Sequence, residues 1–182
     1  MRAASEGQGK GATFTVDLPL PDSDVAAASG PRVEIRTIAE NALQGVRVCS
    51  LDDDPDARDV ISLTLKQAGA EVQTLATGAD LVALLEERLP QHRPDVLLLD
   101  LAMPEEDGFS VLAKVRALEK RKGIAEEDAM PAIAVTAFTE FNRERVTERG
   151  FTDHVSKPIE AARLIASIRS VVQAKSDSRA AR

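Results

Sequence analysis

From Gly45 onward, short apolar runs rich in β-branched residues alternate with stretches whose apolar positions recur every three or four residues. The runs are Val46 to Leu51, Glu71 to Leu75, Val96 to Leu99, Ala132 to Val135 and His154 to Ser156. Between them, Ala57, Val60, Ile61, Thr64 and Ala68 keep helical spacing, as do Val111, Leu112, Val115 and Leu118. Leu164, Ile165, Ile168, Val171 and Val172 repeat it in the last helix. Strand–helix alternation of this kind predicts a doubly wound α/β fold, with five parallel strands buried between two layers of helices. A fourth helix is expected over Phe141 to Arg149, with few apolar residues and a charged run through Arg143, Glu144, Arg145 and Glu148.

Before Gly45 the pattern is different. A glycine-rich turn (Gly7, Gly9, Gly11) leads into one lone alternating strand, Thr13 to Leu18, which a Pro-Leu-Pro sequence stops. Asp22 to about Leu43 mixes Ala, Ser and Pro with scattered charge, as linkers do. The expected organisation is a leading segment 1–21, a linker 22–44, a globular domain 45–175 and a polar tail 176–182. Within the domain, Glu119 to Met130 lengthens one connection and reads as an extra turn and solvated loop, with a basic cluster (Lys120, Arg121, Lys122) ahead of acids (Glu126, Glu127, Asp128).

Composition narrows the function. The chain has 182 residues, 43% of them hydrophobic, and a net charge of -7 without Trp or Tyr. It offers neither a basic footprint for phosphates nor aromatic platforms for bases, so nucleic acid is not an expected partner. His92 and His154 are the only histidines and Cys49 the only cysteine. Zinc chemistry and an internal disulfide are excluded, and Cys49, in an apolar run, is expected to be a buried structural thiol. No apolar stretch approaches the roughly 18 to 20 residues of a membrane span, and the N-terminus does not resemble a signal peptide. Direct membrane contact is not expected, and the cytoplasm is the expected compartment.

In doubly wound folds ligands bind beyond the carboxyl ends of the strands. The residues there are Asp52, Asp53 and Asp54 after the first run, Asp100 after the third, Thr136 after the fourth and Lys157-Pro158 after the fifth. Each has a plain alternative. Asp54-Pro55 is a helix start with an N-cap carboxylate and proline at N1. Asp100 could mark a strand exit, Thr136 could be a β-branched strand residue, and Lys157-Pro158 could be a turn with a solvated ammonium. Together they suggest more. In the flavodoxin-like order 2-1-3-4-5 the acids after the first and third strands lie side by side. Two carboxylates about 4 Å apart repel by roughly 4 kcal/mol at an effective dielectric of 20, so they need a cation. Oxygen-only ligands select a hard ion, and Mg²⁺ fits because it accepts one or two carboxylates and completes its shell with water and phosphate oxygens. Lys157 and the Thr136 hydroxyl would meet an incoming phosphoryl group. Asp100 is the candidate nucleophile, forming an aspartyl phosphate.

Leu51-Asp52-Asp53-Asp54-Pro55, Leu98 to Gly108 (LLDLAMPEEDG), Val135-Thr136-Ala137 and Val155-Ser156-Lys157-Pro158 resemble the receiver domain of two-component response regulators, over about Val46 to Ala174. The resemblance implies a flavodoxin-like (βα)5 fold with Asp100 as phosphoacceptor. It implies Mg²⁺ held by Asp52, Asp53, Asp100 and the Ala102 backbone carbonyl, and Thr136 and Lys157 on the phosphoryl group. It also implies a switch in which Thr136 moves inward and the ring at His154 follows. Ser5-Glu6-Gly7-Gln8-Gly9-Lys10-Gly11-Ala12-Thr13-Phe14-Thr15-Val16, followed by Leu18-Pro19-Leu20-Pro21, is similar to the closing glycine box and last strand of a histidine-kinase ATP-binding domain. A dinucleotide fingerprint fits poorly, because these glycines precede a strand. On these resemblances the chain is the C-terminal receiver of a hybrid histidine kinase carrying a remnant of the preceding domain, with Met1 an artificial or truncated start. Its partners would be a histidine kinase core, in cis or in trans, and a histidine phosphotransfer protein.

A phosphohydrolase of the haloacid-dehalogenase type also uses an Asp nucleophile, but it needs a second acid two residues later, where this chain has Ala102. A flavin module needs a phosphate-binding loop after the first strand, where three acids would repel the phosphate. A phosphorylation-dead adaptor is disfavoured because every required side chain is present. The family also guides its hydrolytic water with the residues two beyond the phosphoacceptor and the hydroxyl, here Ala102 and Phe138. Neither hydrogen-bonds water, so self-dephosphorylation is expected to be slow. An Ala102→Asn, Phe138→Glu double variant should lose its phosphoryl group faster than wild type; equal half-lives would contradict this reading.

Overall fold

The computed structural model describes residues 2–5, 7, 9–16, 41–137 and 143–180. The chain divides into two compact units, residues 1–35 and 36–182. In the first, β1 (Arg2–Ala4) pairs antiparallel with β2 (Thr13–Thr15), Ala3 opposite Phe14. The strand expected to stand alone therefore has a partner, which an Arg-Ala-Ala sequence does not announce. All six paired residues are exposed. Asp17 and Leu18, and residues 22–40 of the expected linker, lie outside the described residues.

The second unit is a five-stranded parallel sheet flanked by helices. Its elements are β3 (Arg47–Leu51), α1 (Pro55–Gln67), β4 (Glu71–Leu75), α2 (Gly78–Arg88), β5 (Val96–Asp100), α3 (Gly108–Arg121), a 3-10 turn (Glu126–Asp128), β6 (Ala132–Thr136), α4 (Arg143–Glu148), β7 (Asp153–Ser156) and α5 (Ala161–Ala180). The sheet order is β4-β3-β5-β6-β7, the flavodoxin-like pattern. β5 and β6 are buried at every position, as expected of central strands covered on both faces. One core cluster gathers Leu97, Leu99, Leu112, Val115 and Leu118 with Leu81 and Leu85 of α2; the other sets Leu98, Ile133 and Val155 against Ile61, Leu65, Leu164 and Ile168. Cys49 is buried, and burial pushes its thiol up to about 12.

Several expectations need correcting. On α1 the inward stripe runs through Ile61, Leu65 and Ala68, while Val60 is 56% exposed and Leu63 61%. The domain begins before Gly45: Leu43 is fully buried and its amide donates to the Ala68 carbonyl at 2.8 Å. The polar tail is no tail as far as Ala180, because α5 continues to that residue. The Glu119–Met130 connection has the expected extra turn and no buried residue between its ends, but it is anchored from inside. Glu119 is 2% exposed, accepts from the Met130 amide at 2.6 Å and pairs with Arg116 at 2.7 Å. The fourth helix ends at Glu148, one residue before its expected end, and holds the core through Val146; Phe141 and Asn142 lie outside the described residues. Among the described residues, no helix is long and apolar enough to cross a membrane.

Gly108 opens α3 directly against the end of β5, where a Cβ would lie 2.3 Å from the Asp100 carbonyl oxygen. Only glycine permits this approach. Gly108→Ala should therefore cost about 3 kcal/mol of stability, read as a lowered denaturant midpoint, because backbone rather than a flexible side chain has to move. Gly123→Ala, with positive φ but open space, should cost about 1 kcal/mol.

Candidate functional site

The β3–α1 connection carries three consecutive acids, and each has a different task. Asp52 is fully buried at the end of β3, and its Oδ1 accepts the Asp54 amide at 3.0 Å. Asp54 caps α1, its Oδ1 accepting the Asp56 amide at 2.9 Å, with Pro55 at the first helical position. Asp53 is exposed. The plain reading of Asp54 as a helix cap thus describes that residue, whereas Asp52 and Asp53 turn elsewhere.

β5 is the neighbour of β3, Leu99 opposite Leu51, so Asp100 emerges next to this loop. Asp100 is 3% exposed, and its Oδ1 accepts the Ala102 amide at 3.0 Å. Ligand oxygens of Asp52, Asp53 and Asp100 lie within 4.8 Å of one another, a group able to hold a metal ion. Lys157, just after β7, closes the site. Its Nζ lies 2.8 Å from both Asp52 Oδ2 and Asp100 Oδ2. Burial works against the ammonium, but its hydrogen bonds to Asp100 and Asp52 and their charges outweigh that, and its pKa is raised. The Lys157–Pro158 peptide is cis.

Thr136 ends β6, fully buried on the same carboxyl rim, and its carbonyl accepts the Lys157 amide at 2.7 Å. His154 lies on β7 in register with Ala134, two residues before Thr136. Its Nδ1 is buried without a hydrogen-bond partner among the described residues. Phe138 lies outside the described residues. A cleft bordered by Thr77, Gly78, Met103 and Pro104 opens beside Asp53.

Order, spacing and geometry agree with a known family. The family model described as the response regulator receiver domain matches residues 48–169. The chain belongs to the response regulator receiver family. A relative, hybrid signal transduction histidine kinase D of Dictyostelium discoideum, is 34% identical over 137 residues, 74% of this chain but 9% of the kinase. An uncharacterized 14.6 kDa protein from Leptolyngbya boryana is 38% identical over 116 residues, covering 63% of this chain and 81% of that protein. Among solved structures, the receiver domain of sensor histidine kinase PA1611 from Pseudomonas aeruginosa PAO1, with magnesium coordinated in its active-site cleft, is 27% identical. It has a TM-score of 0.58 and covers 71% of this chain and 98% of its own. The chain is a receiver of two-component signalling, which leaves the haloacid-dehalogenase alternative without support.

Sequence reasoning missed Arg58, whose guanidinium donates to the Asp52 and Asp53 carbonyls. The available signal was a cation in the first turn of a helix, a position the helix dipole disfavours.

The raised Lys157 pKa sets a pH dependence. Its stabilisation is fully present below the ordinary lysine value of 10.5 and is lost as the pH rises through the higher folded-state value. In magnesium-free buffer, Lys157→Met should cost about 3 kcal/mol at neutral pH, since it leaves two buried carboxylates without a cation. Melting temperature should fall more steeply above the ordinary lysine value in wild type than in this variant.

Proposed function

We propose that Asp100 is the phosphoacceptor of this receiver and takes a phosphoryl group from a phosphohistidine in a Mg²⁺-dependent step. The observation that carries this reading is the meeting of Asp52, Asp53, Asp100 and Lys157 at one rim of the sheet. The donor set consists of oxygens alone, which suits a hard, small cation. Asp52, Asp53, Asp100 and the Ala102 carbonyl would hold the ion, which supplies positive charge to the phosphoryl oxygens when bound.

The residues of the chain supply the rest. The Asp100 carboxylate attacks phosphorus, forming an oxygen–phosphorus bond as the nitrogen–phosphorus bond of the phosphohistidine breaks. The leaving imidazole takes up a proton from solvent. Hydrogen bonds from Lys157 and the Ala102 amide fix the carboxylate before attack, so little reorganisation is left for the transition state. Lys157 can follow the transferred oxygens with one of its three donors. The Thr136 hydroxyl then draws inward toward the phosphoryl group, and His154, two register positions away, responds at the α4–β7 side of the fold.

The parent context is also part of this reading. The exposed hairpin β1–β2, with glycines at positive φ between its strands, fits the closing strands of a kinase ATP-binding domain, since two short strands without a buried face are marginal alone. The chain is thus read as the receiver of a hybrid histidine kinase that passes phosphate to, or takes it from, a histidine phosphotransfer protein.

Incubation with acetyl phosphate and Mg²⁺ should add one phosphoryl mass to the wild-type chain and none to Asp100→Asn. An unchanged wild-type mass, or the same increment on the variant, would overturn the assignment.

A further inference from the structure

The turn that carries the acid pair is held by a residue outside the acidic motif. Arg58 is half-buried in the first turn of α1, where a cation faces the positive end of the helix. Its Nη1 donates to the Asp52 carbonyl and to the Asp53 carbonyl, at 2.8 Å each. One guanidinium nitrogen therefore ties down the two carbonyls of the acid pair. Among the described residues Arg58 pairs with no carboxylate, so its donors serve the main chain and leave the acids open to other ligands.

The neighbouring bonds show why this matters. Asp52 is fixed through both carboxylate oxygens, by the Asp54 amide and by Lys157. Asp54 is fixed as the cap of α1. The Asp53 carboxylate is exposed and accepts no hydrogen bond among the described residues, so only its backbone sets its direction. That backbone is what Arg58 holds.

We propose that Arg58 is a positioning residue for the metal site, keeping the Asp53 carboxylate beside those of Asp52 and Asp100 before the ion arrives. The inference rests on the reading of the site as a Mg²⁺-dependent phosphoacceptor. Two effects of Arg58 on a bound cation have opposite signs. Its charge repels a dication, so deleting it by charge alone tightens binding. Its clamp removes disorder that binding would otherwise have to remove, so deleting the clamp weakens binding.

The test uses the full chain and Mg²⁺ alone, with affinity measured by calorimetry for wild type, Arg58→Met, Arg58→Lys and Asp53→Asn. Arg58→Met keeps the aliphatic stem and helix propensity, so the fold should survive. Its Mg²⁺ affinity should drop about tenfold, the size of fixing the backbone of one residue. Arg58→Lys, which keeps the charge but not the planar fork, should fall between Arg58→Met and wild type. Amide hydrogen exchange at residues 53–56 should quicken in Arg58→Met, and phosphorylation should need more Mg²⁺ for half-saturation yet reach the wild-type plateau. Mg²⁺ binding by Arg58→Met as tight as wild type, or tighter, overturns the positioning role. A wild type that binds no Mg²⁺, or an Asp53→Asn protein that binds it undiminished, overturns instead the reading of the site on which the role rests.

Discussion

The structure depends on one ammonium shared between two buried carboxylates. Lys157 follows Asp52 by 105 residues and Asp100 by 57, yet bonds both at 2.8 Å. The strand order makes this possible. Asp52 and Asp100 end adjacent strands, whereas Lys157 follows the edge strand β7 and reaches them across the end of β6. A long, flexible stem ending in a compact charge suits that reach, and an ammonium can sit between two single oxygens without the planar fit that a guanidinium requires. Without the cation, two carboxylates taken out of water would repel each other in a setting that screens poorly. Fold and site are therefore one problem: the sheet brings the acids together, and Lys157 lets them stay.

The same constraint shapes the surroundings. Asp100 can sit at the end of a fully buried strand because its oxygens have assigned donors, the Ala102 amide and Lys157. The loop that supplies the Ala102 amide must return tightly to α3, and Gly108 makes that return possible by its close approach to the Asp100 carbonyl. Asp107 before it caps α3 by accepting the Ser110 amide at 2.7 Å. The Asp-Gly pair at the end of the acidic loop thus has a packing reason as well as a family resemblance.

Much of this was legible in the sequence because the central strands β5 and β6 are buried along their whole length and so read as continuous apolar runs, with a functional residue at the end. The runs ending at Leu51, Leu99 and Val135 put Asp52, Asp100 and Thr136 on one rim. What escaped had no such signal. β1 is Arg-Ala-Ala, without alternation, and only pairing with β2 makes it a strand. The end of α5 carries a polar sequence with no apolar stripe, and its helix is supported by side-chain contacts such as Gln173 with Asp177 at 2.8 Å. Val60 and Ile61 are adjacent, so spacing alone could not decide which of them faces the sheet; Leu65, four residues beyond Ile61, settles it. Arg58 was hidden for another reason. Its place in the first turn of α1 was a signal that something holds it there, but its partners are carbonyls, and a pattern of side chains does not name main-chain acceptors.

Charge balance ties these observations together. Asp52, Asp53 and Asp100 contribute three negative charges, against the ammonium of Lys157 on the two buried acids and the guanidinium of Arg58 behind the turn, so the rim stays net negative. The two buried acids already share Lys157, which places the uncompensated charge toward Asp53, the exposed member beside the open cleft. An arriving cation would therefore meet the acid that is least held by hydrogen bonds and most accessible. Preorganisation of that acid has to come from the main chain, since a side-chain partner for Asp53 would compete with the ion. A cation bonded to carbonyls meets this requirement: it stiffens the turn while leaving the carboxylate empty-handed, which is the arrangement Arg58 adopts.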